Sequence, residues 1–300
     1  MTSFIPVGYH KRRYPPEIKC EIEEVAGNFG KTTITDCERY SLHTEYSFTK
    51  RVLEESFSKR YPILASSTYN GIPLLWTSTE WADRFADFVI NITAGKKSPE
   101  VIEVHPPFRD TCTSVQQFLD RFASFERKIR TVYPKVTICI ENRAGSQYRK
   151  ASFLISTIED VSELITACRD IGSSLKVALD YPQLFTAYHK EPFEMDMGIF
   201  LERHHLLDDC RESISSVHMW GKKRNDAGRL VAHSGDLNSL FDGDLLKKSQ
   251  LLSLISSFYN DGVCRYFVPE VNSCDEDLHS ILRDCMNVGI RFDGIYYSSK

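Results

Sequence analysis

The sequence lacks a long apolar run and a paired-cysteine motif, and each absence excludes a class of protein. Nowhere does the run of about 18 apolar residues that a membrane-spanning helix needs occur, and no apolar signal segment follows the basic residues 10–13. The nine cysteines are odd in number and contain no Cys-x-x-Cys pair, which is typical of reduced thiols rather than of a disulfide framework. We therefore expect a cytoplasmic protein that is neither secreted nor bound to a membrane.

An excess of positive charge is also missing. The net charge at pH 7 is −4, so no global field attracts the protein to nucleic acid or to an anionic membrane. This disfavours DNA binding without excluding it, because a local basic rim can exist on an acidic protein. The 300 residues, 42% of them hydrophobic, can bury one large core. We expect a single domain over residues 1–300, in which residues 1–38 form a poorly defined N-terminal segment.

Five short apolar stretches each end in a residue of a type that binds metals. Such a run is typical of a strand that is buried on both faces and opens to solvent at its C-terminal end. The steps between the first four terminal residues are 36, 39 and 38 residues, close to the length of one strand and one returning helix. The stretches are 101–105, 136–141, 175–180, 214–218 and 266–270, and they end in His105, Glu141, Asp180, His218 and Glu270.

Helical patterns occupy the intervals between these stretches. Ser114 with Gln117, and Thr157 with Asp160, form predicted capping boxes, and Gly172 ends the second of these helices. Other helices are predicted at 47–58, 194–210 and 245–259, after a cap at Thr79 and after a cap at Asp275. A long polar loop is predicted at 222–241. Strands are predicted earlier in the chain at 18–25, 39–46 and 61–67. The alternation predicts an α/β fold, a (β/α)8 TIM barrel of parallel strands with outer helices.

The terminal residues of four strands form a candidate metal site. In a parallel barrel the C-terminal strand ends surround one pocket, so Glu141, Asp180, His218 and Glu270 are predicted to converge there. Three carboxylates and one imidazole suit a divalent ion such as Mn²⁺, Mg²⁺ or Zn²⁺. Without a cation the three carboxylates would repel one another. We therefore predict one divalent metal ion and no organic cofactor.

The order of these motifs resembles the xylose-isomerase-like TIM barrel superfamily, which contains sugar isomerases and epimerases as well as apurinic endonucleases. The resemblance covers about residues 100–275 and is carried by VHPP, IENRAG, LD, VH, HSGDL and PEV. In the isomerase and epimerase branch, it implies that Glu141 and Glu270 also act as the catalytic bases. It further implies that Arg224, six residues after His218, binds the substrate.

The endonuclease branch of the superfamily binds three zinc ions and needs more histidines. His105 and His233 match part of that set, and the resemblance implies that they bind metal or support a ligand. Gln183 stands where that branch has a histidine, and Val231-Ala232-His233 stands where that branch has an Asp-x-His pair. Beside the site, Trp220 is positioned to stack on a sugar ring, and Lys222 to bind a phosphate or an acidic substrate.

Three functions follow from these features. The first is a metal-dependent isomerase or epimerase of a sugar or related polyol, which transfers a proton between carbons next to a carbonyl. The alternative is a metal-dependent phosphodiesterase of the apurinic endonuclease type that acts on damaged DNA. The third is a non-catalytic barrel that serves as a binding protein. The expected partner is a small-molecule sugar or polyol, DNA is expected only under the alternative, and homo-oligomerisation is left open.

Overall fold

Eight strands form a closed barrel in the computed structural model, which describes residues 1–144, 152–188 and 191–292. The hydrogen-bonded order of the strands is β1-β8-β7-β6-β5-β4-β3-β2, so neighbours in sequence are neighbours in the barrel. The predicted (β/α)8 fold is thereby confirmed. The strands are β1 (Phe4–Gly8), β2 (Ile22–Gly27), β3 (Tyr40–Thr44), β4 (Val101–Val104), β5 (Thr137–Glu141), β6 (Lys176–Asp180), β7 (Ile214–Met219) and β8 (Arg265–Pro269).

Parallel pairing is seen on both sides of β1 and of β4. Strand β1 pairs with β2 and with β8, and Ile5 lies opposite Tyr266. Strand β4 pairs with β3 and β5, so that Ile102 lies between Leu42 and Ile138. Parallel neighbours need a connection that returns to the start of the next strand, and helices supply most of these connections.

Seven helices were predicted, and the described residues contain ten α-helices. Two stretches of 3₁₀ helix, Pro192–Glu194 and His205–Ser213, flank α7. The α-helices of the described residues are α1 (Glu55–Arg60), α2 (Pro62–Ser66), α3 (Thr79–Ile92), α4 (Val115–Val132), α5 (Ile158–Ile171), α6 (Tyr181–Tyr188), α7 (Met197–His204), α8 (Leu237–Leu240), α9 (Leu245–Phe258) and α10 (Asp275–Asn287).

The chain divides into two compact units. The middle unit comprises residues 24–177, and its core includes the packed pair α3 and α4. There the Trp76 ring meets five other aromatic rings edge to face at 5.3–5.6 Å, those of Trp81, Phe85, Phe118, Phe122 and Phe125. The terminal unit comprises residues 1–23 and the chain from Ala178 onward, and in it α9 packs on α7, α8 and α10. That residues 1–300 form a single domain stays a prediction.

Local capping signals were read correctly in α5 and only partly in α4. Thr157 and Asp160 form the predicted capping box, and Gly172 ends α5 in the left-handed conformation. At α4, the Ser114 hydroxyl accepts from the Gln117 backbone nitrogen, but the Gln117 side chain accepts from Thr113 rather than returning to Ser114. Half of the expected box is therefore present. Helix α3 is capped by Ser78 rather than Thr79, and Cys274 precedes α10.

Most of the wrong predictions concern short elements. Residues 61–67 contain helix α2 instead of a strand, because Pro62 occupies the first helical turn, where proline is favoured. Only 55–58 of the predicted helix 47–58 is helical, because α1 begins at Glu55. The predicted loop 222–241 contains a β-hairpin, Lys222–Arg224 with Leu230–Ala232, followed by α8. Strand β1 and helix α6 were not predicted.

Among the described residues, no helix is both long enough and apolar enough to cross a membrane.

Candidate metal centre

In the middle unit, two histidines and two glutamates bring four ligand atoms together. His43 lies on β3, Glu103 on β4, His105 just after β4, and Glu141 at the end of β5. Glu103 and His105 share a face of the chain because side chains alternate along a strand. One ligand atom from each residue lies within 4.8 Å of the other three, and all of the residues except His43 are buried. We call this set the middle group.

The imidazoles of the middle group face each other and the carboxylates. Nε2 of His43 lies 2.9 Å from Nε2 of His105, which lies 2.9 Å from Oε2 of Glu141. Nε2 of His43 is also 3.5 Å from Oε1 of Glu103 and 4.0 Å from Oε2 of Glu141. Four nitrogen and oxygen atoms thus surround one small space, which is how ligands surround a cation.

The contacts of His105 favour the form of imidazole that binds metal. Its Nδ1 lies 3.0 Å from the Glu45 carbonyl oxygen, which can only accept a hydrogen bond. Nδ1 therefore carries the proton, and Nε2 offers a lone pair to the middle group. Trp76 Nε1 donates to the His105 carbonyl at 2.7 Å, so the backbone is anchored as well. Of the two roles predicted for His105, metal ligand and support for a ligand, this geometry fits the ligand.

Glu45 in turn is held by three groups. Its Oε2 accepts from the Phe29 backbone nitrogen at 2.8 Å, and its Oε1 accepts from Tyr46 at 3.0 Å and from Arg51 at 2.8 Å. The side chain is fully buried. A charge buried in this way is stabilised by its partner and by hydrogen bonds. The carbonyl that orients His105 is therefore part of a rigid segment.

In the terminal unit, Asp180, His218 and Glu270 form a second set, which we call the terminal group. Asp180 ends β6, His218 lies on β7, and Glu270 follows β8 directly. Their ligand atoms lie within 4.8 Å of one another, and all three residues are buried. Nδ1 of His218 is 3.3 Å from Oε1 of Glu270. Three of the four predicted ligands are thus assembled within one unit.

Asp180 also begins a helix and accepts a hydrogen bond from an indole. Its Oδ1 accepts from the Gln183 backbone nitrogen at 2.8 Å, as at a helix N-cap, and its Oδ2 accepts from Trp220 Nε1 at 2.8 Å. A carboxylate has about four lone-pair positions, so both oxygens retain capacity for a metal. Trp220 is buried and orients Asp180, and its predicted contact with a sugar ring stays a prediction.

His233 packs beside the terminal group. Its Nδ1 is 3.2 Å from the Glu270 carbonyl oxygen and 3.3 Å from Glu270 Oε2, and its ring stacks on Trp220 at 4.4 Å. The hairpin that carries it is closed by two glycines. A Cβ on Gly221 would lie 2.3 Å from the Gly235 carbonyl carbon, so glycine at 221 is required for this close approach. His233 thereby contacts the terminal group, while its role in metal binding stays a prediction.

Two predicted substrate-binding residues lie on the hairpin. Lys222 Nζ pairs with Glu191 Oε2 at 2.9 Å, and Arg224 Nη1 donates to the Gly228 carbonyl at 3.0 Å. Arg224 is exposed. Both residues thus contact other parts of the protein, and their predicted contacts with a substrate stay predictions. Gly145, the last residue of the IENRAG motif, lies outside the described residues.

Comparison with known proteins does not show which family this chain belongs to. No family profile matches the sequence. No curated protein matches it either. The structure is similar to that of AsfvAP:AG, with 12% identity, a TM-score of 0.45 and coverage of 82% of this chain and 83% of that chain. It is also similar to AP endonuclease, family 2, from Brucella melitensis, with 11% identity, a TM-score of 0.44 and coverage of 85% and 96%. Likeness this distant carries no argument about activity.

The sequence does not single out His43 or Glu103 as ligands. His43 lies in the predicted strand 39–46, but its regular spacing from the next ligand is lost because residues 45–100 contain three helices and a small hairpin, Thr68–Tyr69 with Ile72–Pro73. Glu103 stands inside the apolar run VIEVH, two residues before His105. A charged residue at an inward position of a buried strand is a signal that could have identified it.

The donor sets fit divalent ions. The middle group offers two imidazole nitrogens and two carboxylates, a combination that suits zinc. The terminal group offers one imidazole and two carboxylates, which suits the harder Mn²⁺ or Mg²⁺ as well as zinc. The identity of any ion is a matter for measurement.

Proposed function

We propose that this protein is a metal-dependent phosphodiesterase, the alternative predicted from the motifs. The observation that carries the proposal is the middle group, a second set of converging ligand atoms besides the terminal group. An isomerase of the predicted kind needs one ion. Cleavage of a phosphate ester benefits from two, because the attacking oxygen and the leaving oxygen both carry charge in the transition state.

The predicted set of Glu141, Asp180, His218 and Glu270 is part of this proposal. Glu141 ends β5 and Asp180 ends β6, and these strands are neighbours in the barrel order. We propose that Glu141 serves the ion of the middle group, and that Asp180, His218 and Glu270 serve the ion of the terminal group. When bound, an ion in the terminal group would supply Lewis acidity and lower the pKa of a water molecule, and an ion in the middle group would supply positive charge.

The residues of the chain would prepare the reaction in separate ways. Trp220 and the Gln183 backbone hold both oxygens of Asp180, so that its orientation is set before a substrate arrives. His105 presents Nε2 because Nδ1 is engaged with Glu45. Glu270, with His233 beside it, offers a place for the proton that the reaction releases. Burial of these groups keeps bulk water from screening their charges.

Basic side chains on the hairpin support a substrate that carries phosphate. Lys223, Arg224 and Arg229 are exposed there, and they follow β7 on the side of the barrel where the terminal group lies. Lys and Arg provide most protein contacts to phosphate groups. A local basic surface of this kind is compatible with the overall charge of −4. Damaged DNA is therefore the proposed partner.

The predicted isomerase or epimerase remains a second candidate. It is favoured by the terminal group, which would hold one ion beside Glu270, a carboxylate that could act as a base. In that case a ketose or a polyol-derived ketone incubated in heavy water would gain deuterium at the carbon beside its carbonyl.

Metal counting and two assays test the proposal. Elemental analysis of gently purified protein should find about two ions per chain. A duplex that contains an abasic site should be cleaved, and chelation should abolish the cleavage. His43→Ala and His218→Ala should each lose an ion and most of the activity, whereas His279→Ala, outside both groups, should keep both. One ion with deuterium exchange and no cleavage would establish the isomerase, and protein without ions or either activity would be the non-catalytic barrel.

A further inference from the structure

We propose that Glu103 is the fourth protein ligand of an ion in the middle group, so that this ion is enclosed by protein and carries no water of its own. The inference rests on the proposed function only in requiring that the middle group binds an ion. It assigns a role to a residue that neither the motifs nor the strand-end pattern predicts. The two proposed ions would therefore differ in coordination geometry, in affinity and in their part in the reaction.

The distances between the ligand atoms match a tetrahedron. Zinc bonds of about 2.0–2.1 Å in tetrahedral geometry place neighbouring ligand atoms about 3.3 Å apart. The separations from His43 Nε2 are 2.9 Å to His105 Nε2 and 3.5 Å to Glu103 Oε1, and His105 Nε2 to Glu141 Oε2 is 2.9 Å. The separation from His43 Nε2 to Glu141 Oε2 is 4.0 Å, and all four ligand atoms lie within 4.8 Å of one another. The separations therefore lie both below and above the value of about 3.3 Å expected for tetrahedral zinc.

Both imidazoles turn the same nitrogen toward this space. His105 is fixed by its Nδ1 contact with the Glu45 carbonyl. His43 has a carboxylate behind it, since Glu24 Oε1 lies 3.8 Å from His43 Nδ1 and the Glu24 side chain is only 5% exposed. Carboxylates and carbonyls behind the far nitrogen are the usual means of orienting histidine ligands. Nε2 of each histidine is thereby aimed at Glu103 and Glu141.

Glu103 lies deeper in the barrel strands than His105 and Glu141. It lies one residue before the end of β4, level with His43 on β3, whereas His105 and Glu141 stand at strand ends, and it is 2% exposed. A cation held by both histidines would lie next to Glu103 and stabilise its buried charge.

Four protein ligands give this ion a task different from that of the other ion. Closed tetrahedral zinc sites have no position for water, whereas catalytic sites keep one open. The terminal group, which is richer in carboxylate, suits ions with six ligands that retain water. Activation of water would therefore occur at the terminal group, and the middle ion would act through its charge. We expect zinc in the middle group to resist chelators longer than the ion of the terminal group.

Cobalt substitution tests the coordination number directly. In a His218→Ala background, which disables the terminal group, one equivalent of Co²⁺ should give the intense visible absorption of a four-coordinate ion. Adding Glu103→Gln should weaken that absorption, since water replaces the carboxylate, and should lower Zn²⁺ affinity at least about tenfold. The matched control is Glu100→Gln, which removes the same charge from the start of the same segment, where Glu100 pairs with Arg39. It should change neither signal.

The outcomes separate this inference from the proposed function. Unchanged absorption and zinc affinity in Glu103→Gln would overturn the inference even if the wild-type protein cleaves abasic DNA. A four-coordinate spectrum that depends on Glu103 would support it even if no cleavage is found. Should Glu103→Gln fail to fold, Glu103→Asp replaces it in the cobalt experiment, because its shorter side chain withdraws the carboxylate from the ion. Weaker absorption and lower zinc affinity support the inference, and unchanged values overturn it.

Discussion

The indole nitrogen of Trp220 donates a hydrogen bond to Oδ2 of Asp180 at 2.8 Å, and this bond ties the segment after β7 to the end of β6. The same indole ring stacks on His233. One side chain therefore sets the position of a candidate ligand and of the histidine beside it. Because the bond is buried and has a charged acceptor, its loss should be measurable.

Trp220→Phe should weaken ion binding at the terminal group. Phenylalanine keeps most of the ring that stacks on His233 but cannot donate to Asp180, so the carboxylate loses one orienting bond. We expect ion affinity to fall by about 10- to 100-fold, as for other partners of metal ligands. Competition with a chelator dye measures this. Trp81→Phe, in the aromatic core of the middle unit, is the control, and an equal loss in both variants would contradict the assignment.

Gly221→Ala should disrupt the base of the hairpin. Its Cβ would lie 2.3 Å from the carbonyl carbon of Gly235, so the two backbone segments must separate. We expect a loss of about 1–3 kcal/mol in the free energy of unfolding, as for other overpacked sites, together with reduced activity from the displaced His233. Denaturant unfolding and enzyme assays measure the two effects.

Gly262→Ala is the comparison for that variant. Gly262 also has a positive φ, of 78°, but no atom of the described residues lies within 4 Å of its Cβ position. It should cost about 1–2 kcal/mol through backbone strain alone and leave activity unchanged. If the two alanine variants behave alike, close packing at Gly221 is not the controlling factor.

Acidification should destabilise the protein through His204. Burial lowers the pKa of His204 to about 4 from 6.5, and the ring is hydrogen-bonded to Tyr181 at 3.0 Å. The unfolded chain binds the proton more readily, so stability is unaffected above pH 6.5 and falls as the pH decreases from 6.5 to about 4. The full effect is roughly 3 kcal/mol.

Unfolding curves measured across this pH range test the role of His204. The wild-type protein should lose stability more steeply than His204→Gln, which cannot take up a proton. His205→Gln is the matched control, because His205 is exposed and pairs with Asp208 at 2.9 Å. It should retain the wild-type slope. Parallel slopes for the wild type and His204→Gln would mean that other groups cause the acid sensitivity.

Removal of metal should lower the melting temperature in two steps. Each ion binds the folded protein and not the unfolded chain, so an ion at a hundred times its dissociation constant adds about 2.7 kcal/mol of stability. Calorimetry during titration with a chelator should show one transition shift per ion. His43→Ala and His218→Ala should each remove a different one of the two shifts. A melting temperature that does not respond to chelator would exclude both groups as metal sites.

The barrel and three ligands of the terminal group could be predicted because they depend on local pattern. Buried parallel strands are continuously apolar, so the change to Asp180 or Glu270 marks a strand end without any knowledge of packing. The repeat of strand and helix then places such ends on one side. The regular spacing of His105, Glu141, Asp180 and His218 expresses this directly.

The middle group could not be completed from the sequence, since its members depend on register and on contacts distant in the chain. The strand of His43 is followed by α1, α2 and a small hairpin, and the spacing that identifies the later strands is absent. The tautomer of His105 depends on a carbonyl at Glu45, 60 residues away. Similarly, Trp220 gives no sign in the sequence that it bonds to Asp180, 40 residues before it.

The crossing of Gly221 and Gly235 isolates the tip of the hairpin from its base. The base is fixed by the hydrogen bond from the Ser234 nitrogen to the Gly221 carbonyl at 3.1 Å, while at the tip no described atom lies within 4 Å of a Cβ position on Gly228. Residues inserted near Gly228 should therefore leave His233 and Trp220 in place. The tip of the hairpin is therefore a suitable position for exchanging loops of different length and charge while the terminal group stays intact.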